Sequence, residues 1–289
     1  MKDASVDAST PPHATPAVRH PLDAATALVW RGDRWIGHTS KAYWAFIGPF
    51  GGATAATFLR AALDHPDRIG DPLALTVNYC APIAEGEIQV MARPVKTNRS
   101  TQHWTLELFQ QEGDILATAT AVFAHRRPGL THEVARMPQV PPPSGIAAYN
   151  PAFTASWVRQ YDMRFIGGPP NIHRTPQAER QSAETVLWLR DAVPRPLDPL
   201  SLVSMSDAFF GRIFHVLGVI VPFGTVSLTT YFHGAADDIP QHDGWVLGRA
   251  DAKVFRSGFG DQTAELWSPD GRLLAESVQT TYFRDWKPE

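Results

Sequence analysis

Apolar and polar positions along the 289-residue chain change period twice, in the same order each time. Residues 48–66, "GPFGGATAATFLRAALDHP", open with glycines, run through good helix formers and stop at Pro66. This predicts a helix. Ala53, Ala56, Thr57 and Ala61 make it narrow enough for a neighbouring backbone to approach. Four runs follow with β-branched and aromatic enrichment and partial alternation: "LALTVNYCAP", "GEIQVMARPVKTN", "STQHWTLELFQQ" and "DILATATAVFAHR". These predict strands, with "QEGD" as a hairpin turn. Residues 198–218, "DPLSLVSMSDAFFGRIFHVLG", predict the second helix. "GTVSLTTYFHG", "GWVLGRADAKVFRSG", "FGDQTAELWSP" and "GRLLAESVQTTYFRD" predict its strands, with "SPDG" as the matching turn.

Helix followed by strands, repeated in fixed order, is the mark of an internal duplication. "ILATATAVFAHR" (115–126) lies beside "LLAESVQTTYFR" (273–284) without a gap. "LALTVNYCA" (73–81) lies beside "TVSLTTYFH" (225–233), with a tyrosine at the seventh position of each. The expected class is α+β, with each unit a helix and a four-strand antiparallel meander curling around it. Residues 125–153 carry six prolines, including "PPP", and read as an extended surface linker. The expected divisions are a disordered leader (1–22), an N-terminal unit (23–126), the linker (127–158) and a C-terminal unit (159–289).

Composition narrows the partners. Hydrophobic residues make up 44% and charged residues 19%, enough for a sizeable core. The net charge is −3 and Lys and Arg are scattered, so no nucleic-acid partner is expected. The single cysteine, Cys80, excludes an internal disulfide framework and fits a reducing compartment. No stretch approaches a membrane span and the leader has no apolar signal region, so the chain reads as soluble and cytoplasmic.

Familiar catalytic signatures are absent. The sequence holds no G-x-S-x-G, no P-loop, no G-x-G-x-x-G after a strand and no H-E-x-x-H. No metal site is expected. "DDIPQH" (237–242) has an Asp-x4-His spacing but falls in a proline-bearing loop. Asp207 stands out instead, as a carboxylate in the apolar stretch "SMSDAFF". Two readings fit it. It complements the helix dipole, with Ser204 or Ser206 capping, or it moves a proton.

The ordered set "GPFGG", "SDAFF", "TVSLTTYFH" and "LLAESVQTTYFR" resembles the acyl-CoA thioesterase II family over about residues 25–286. The resemblance implies a double hot-dog fold in one chain, an acyl-CoA substrate and no cofactor. It also implies a catalytic set that directs water at the thioester carbonyl. Asp207 matches the family's aspartate, Thr225 its hydroxyl residue and Gln279 its glutamine. The ungapped pairings put Ala121 opposite Gln279, Leu73 opposite Thr225, and Gly51 or Gly52 near Asp207. The first half thus lacks the polar set, and one working site per chain is expected.

Phe50, Gly51 and Gly52 are expected to contact substrate, the glycines by exposing backbone N–H groups to the thioester oxygen. Phe50, Trp35, Trp44 and Phe46 fit an acyl tunnel or core. Lys96, Arg99 and Ser100 are candidates for the CoA phosphates, with Arg256 and Ser257 at the matching place in the second half. A solvated hairpin end fits these residues equally. Hot-dog sheets often pair edge to edge, so a homo-oligomer, a dimer or higher, is expected. Two alternative functions remain open: a hot-dog enoyl-CoA hydratase or dehydratase, and a non-catalytic acyl-CoA binder.

Overall fold

The computed structural model describes residues 19–285, apart from residue 112 and residues 151–153. Its first half contains α1 (Pro21–Ala25), β1 (Val29–Trp30), β2 (Trp35–His38), α2 (Gly51–Leu63), β3 (Asp71–Tyr79), β4 (Glu87–Thr97), β5 (Thr101–Phe109) and β6 (Ile115–Ala124). The second half contains β7 (Tyr161–Gly167), β8 (Thr185–Asp191), α3 (Pro199–Met205), α4 (Arg212–Leu217) and β9 (Phe223–Phe232). It continues through β10 (Val246–Asp251), β11 (Phe255–Arg256), β12 (Phe259–Trp267) and β13 (Leu273–Phe283).

All these strands belong to one antiparallel sheet, in the order β1-β2-β4-β5-β6-β3-β9-β13-β12-β10-β8-β7, with β11 beside β12. The two halves join where β3 pairs with β9, from Ala74 opposite Tyr231 to Asn78 opposite Ser227. That pairing gives each strand a partner on both sides and removes two sheet edges at once. This is the α+β, tandem hot-dog arrangement.

The order departs from a simple four-strand meander. The strand after each helix pairs with the last strand of its half, β3 with β6 and β9 with β13, and not with the next strand in sequence. The chain also adds β1 and β2 before α2, and β7 and β8 before α3, extending both ends of the sheet. These pieces escape the hydrophobic pattern because they are short or flanked by irregular segments.

Alternation along the strands sets the core. On β5, Gln102, Trp104, Leu106 and Leu108 point inward and are buried. The sheet wraps α2, ten of whose thirteen residues are buried. Its run of Ala and Thr keeps the cylinder thin enough for α3 to lie against it. Leu22 is fully buried in α1, so packed structure begins inside the stretch expected to be leader; the rest of that stretch, to residue 18, lies outside the described residues. The "QEGD" turn spans residue 112 and is likewise outside them.

The proline-rich connection runs without strands over the second half of the sheet. Met137, Val140 and Ile146 pack against Trp188, Trp245, Leu247 and Trp267, and Trp188 Nε1 donates to the Pro141 carbonyl at 2.8 Å. Among the described residues no helix is long and apolar enough to cross a membrane.

Register refines the duplication. Leu75 pairs with Ala121 on β6, and Leu228 pairs with Gln279 on β13. Ala121 and Gln279 therefore hold equivalent places, as the ungapped pairing expects. Each half has a one-residue irregularity at the same step, beside Leu73 in β3 and beside Val226 in β9. The counterpart of Thr225 is accordingly Pro72, which faces Phe123 as Thr225 faces Thr281, and not Leu73. By the same register Tyr79 corresponds to Phe232, opposite Ala117 and Ala275 respectively, and not to Tyr231. A shift of one residue reverses the face of a strand. Tyr231 accordingly lies on the outer surface, 46% exposed, while Tyr79 turns inward.

Candidate functional site

The stretch 198–218 is not one helix. Asp198 caps α3 by accepting from the Ser201 N–H at 2.8 Å, and the helix ends at Met205. A turn carries Asp207 through to Gly211, whose extended backbone (φ −51°, ψ 124°) opens α4. The Phe223 ring packs where a Cβ at Gly211 would stand, at 3.0–3.2 Å. Asp207 therefore lies just past the end of one short helix and outside the first turn of the next. Ser204 and Ser206 do not cap it. Ser204 Oγ bonds Tyr161 Oη at 2.7 Å, and Ser206 Oγ bonds the Val203 carbonyl and Thr230 Oγ1.

Asp207 instead serves the helix of the other half. The first residue before α2 is Phe50, which has no side chain to cap the unpaired N–H groups. The Gly52 N–H is directed at the Asp207 carboxylate and favours its charged form, so a residue from the second half complements the start of the helix of the first. The Gly52 N–H, otherwise expected to face a substrate oxygen, is thus turned to the acid.

The rest of the set converges on the same carboxylate. Gln279 Nε2 donates to Asp207 Oδ1 at 2.7 Å, and Thr225 Oγ1 donates to Gln279 Oε1 at 3.3 Å. The two hydrogen bonds fix the amide orientation, since its NH₂ must face the acid and its oxygen the hydroxyl. Thr225 reaches inward because of the β9 irregularity: Val226, next to it, is 37% exposed. Asp207, Thr225 and Gln279 thus form one chain of contacts. Asp207 is 8% exposed and Gln279 2%. Burial raises the Asp207 carboxyl to about 7, against the opposing pull of the Gln279 and Gly52 hydrogen bonds.

Glycine at 51 is a matter of space. A Cβ there would stand 2.7 Å from Asp207 Oδ2 and 3.2 Å from Tyr79 Oη. At Gly52 it would meet the Ser204 carbonyl oxygen at 2.5 Å and the Phe50 ring at 2.6 Å. Gly51 and Gly52 thus border the acid on the first-half side. Phe50 itself is core, stacked on Trp157 with ring centroids 4.6 Å apart. Trp35 is buried as well, whereas Phe46 is 63% exposed.

The charged candidates divide. Arg256 and Ser257 are exposed at the turn into β12, where Gly260 pairs with Thr281 and Thr281 with Thr225. They stand at the Thr225 end of the sheet. Lys96, Arg99 and Ser100 stand at the opposite end, because Thr101 pairs with Ala124 and Ala124 with Asp71. The length of β3, about 26 Å at the usual strand rise, separates that row from Tyr79. The structure does not bring these three together with Asp207. Asp237 and His242 lie in the loop between β9 and β10, where His242 Nε2 is 3.6 Å from Asp270.

Two features escape sequence reasoning. Tyr79 Oη donates to the Gly51 carbonyl at 2.8 Å and so enters the site from the first half. Arg195 anchors α3. It donates to Asp198 Oδ2 at 2.7 Å, to Ser201 Oγ at 2.7 Å and to Asp23 Oδ1 in α1 at 2.8 Å. Beside it, burial raises Asp191 to about 7. Tyr79 stands 28 residues from Gly51 and Arg195 stands 172 from Asp23, separations that hide both links from any local pattern.

Two family models match the sequence, the acyl-CoA thioesterase N-terminal domain over residues 40–124 and the acyl-CoA thioesterase C-terminal domain over residues 132–283. Among solved structures, a hot-dog-fold protein of unknown function from Alicyclobacillus acidocaldarius is 42% identical, with TM-score 0.87, covering 93% of this chain and all of that one. Acyl-CoA thioesterase II TesB2 from Mycobacterium marinum is 18% identical (TM-score 0.70; 91% and 98% covered). The dehydratase domain of RzxB from Pseudomonas fluorescens is 14% identical (TM-score 0.50; 92% and 99% covered), which is a likeness of fold alone. A search of curated proteins finds no match.

Proposed function

The chain belongs to the acyl-CoA thioesterase family, and from that premise we propose that it hydrolyses an acyl-CoA thioester at Asp207. The observation that carries this reading is the Asp207–Gln279–Thr225 chain, at 2.7 and 3.3 Å, in the second half, while the counterparts of Gln279 and Thr225 in the first half are Ala121 and Pro72. A purely structural repeat has no need of such asymmetry.

Asp207 acts as general base. Its carboxylate takes a proton from water as the water oxygen bonds to the thioester carbon, and the carbonyl oxygen gains the charge. Collapse of this intermediate breaks the carbon–sulfur bond. The CoA sulfur leaves with the proton returned by Asp207, giving a carboxylic acid and free thiol. A base raised to about 7 is well matched to this cycle, since it both takes and returns a proton near neutrality. Gln279 holds one carboxylate oxygen, leaving Oδ2 toward Gly51 and Tyr79, the side on which water and thioester are read to meet. Arg256 and Ser257, at the Thr225 end, are the groups best placed for the nucleotide phosphates.

The experiment is thiol release from acyl-CoA esters of graded chain length, by the wild type and Asp207→Asn. A loss of about 10²–10⁴-fold in kcat by the folded variant is expected. Near-wild-type turnover by that variant removes the assigned base. Hydration of an enoyl-CoA without thiol release identifies a hydratase, and stabilisation by ligand without turnover a binder.

A further inference from the structure

Tyr79 and Asp207 hold opposite ends of a single peptide group. Tyr79 Oη donates to the carbonyl oxygen of Gly51 at 2.8 Å. The N–H of that same peptide belongs to Gly52 and is directed at the Asp207 carboxylate, which crowds this peptide closely enough that a Cβ at Gly51 would stand 2.7 Å from Asp207 Oδ2. A peptide is planar, so fixing its oxygen fixes the direction of its N–H. Flanked by two glycines, this peptide has no Cβ on either side to restrain its rotation. A donor on the oxygen also polarises the amide and strengthens the N–H as a donor.

We propose that Tyr79 is a positioning residue for Asp207, acting through the Gly51–Gly52 peptide at the start of α2. The proposal rests on the reading of Asp207 as general base. Tyr79 comes from the first half and Asp207 from the second, so the working site is completed across the β3–β9 junction. The register equivalent of Tyr79 in the second half is Phe232, which has no hydroxyl. The polar set is therefore confined to one of the two pseudo-equivalent places, with β3 supplying the phenol and β9 and β13 the hydroxyl and amide.

The titratable groups that face Asp207 are the phenols of Tyr79 on β3 and Tyr161 on β7. Burial first, with the nearby carboxylate adding to it, keeps both well above the ordinary tyrosine range, so both stay neutral near pH 7. Gln279 on β13, Thr225 on β9 and the α2 backbone carry no charge. The Gly52 bond favours ionised Asp207, so weakening it raises the pH at which the acid deprotonates.

The test is Tyr79→Phe, which removes only the hydroxyl. Two readouts are taken: the pH profile of acyl-CoA hydrolysis, and ¹³C NMR titration of aspartate carboxyls with Asp207→Asn assigning the signal. The variant is expected to shift the Asp207 titration and the acid limb of kcat upward by about 0.5–1 unit. Activity at pH 7 falls about 2–6-fold, recovers in base, and KM is unchanged. 3-Fluorotyrosine at position 79, a stronger donor of nearly the same shape, shifts both the other way and serves if Tyr79→Phe does not fold. An Asp207 titration that neither substitution moves overturns the proposal. A wild type without hydrolysis, or an active Asp207→Asn, overturns the base reading separately, and the NMR titration still decides Tyr79.

Discussion

Gln279 donates to Asp207 across 2.7 Å, and the equivalent step of the duplicate strand is occupied by Ala121. Asp207 is buried with neither an arginine nor a lysine paired to it among the described residues. Its charge is carried by an amide and a backbone N–H alone. Neutral donors moderate the burial penalty without abolishing it, and this keeps the acid near neutrality.

Hydrolysis is expected to follow the ionisation of Asp207. Its carboxyl is raised to about 7, so kcat should climb roughly tenfold per pH unit below that value and level off above it. A stopped-flow or thiol-detection profile from pH 5 to 9 checks this. A profile flat across pH 6–8 contradicts the assignment.

The same ionisation has a stability consequence of opposite sense. The folded state holds the Asp207 proton to about pH 7, whereas the unfolded chain loses it near 3.8. Between those values the folded state binds more protons, so this group makes stability fall as pH rises, and the effect is complete above about 7. Asp207→Asn should therefore be more stable than the wild type by about 2–4 kcal/mol at pH 8, with the difference gone by about pH 3. Denaturant melts at the two pH values measure it.

Gln279→Leu should cost more activity than Thr225→Val. The first removes the donor to the carboxylate and leaves the Thr225 hydroxyl without its partner. The second removes a hydroxyl that reaches Asp207 only through Gln279, at the longer distance of 3.3 Å. A loss of about 10²-fold against less than 10-fold in kcat/KM is expected, with the acid limb moving upward in Gln279→Leu. Equal losses would show that Thr225 acts directly on the reacting atoms.

Alanine at 51 and at 52 should separate function from folding. At 51 the new methyl meets the side-chain oxygen Asp207 Oδ2 at 2.7 Å, so activity should fall at least 10-fold with little change in Tm. At 52 it meets the Ser204 backbone oxygen at 2.5 Å, which cannot rotate away, so about 1–3 kcal/mol of stability should be lost. Paired thermal melts and turnover assays distinguish the two outcomes.

The duplicated helix-and-strand order was legible in the chain because alternation and helix-forming runs are local properties, repeated in the same order. Asp207 and Gln279 were legible because the residues around them carry a recognisable order, and the gapless match of 115–126 to 273–284 agrees with the observed strand register. Only the folded chain decided the rest. A one-residue irregularity in β9 turned Thr225 inward and moved its counterpart to Pro72, and a turn after α3 took Asp207 off the helix to which the sequence assigned it. Most of all, the carboxylate facing the start of α2 comes from a residue more than 150 positions away in the other half, while the phenol on the same peptide comes from β3. Local sequence encodes which backbone shapes are cheap, while partners across a sheet junction are fixed by how both halves bury their apolar faces together.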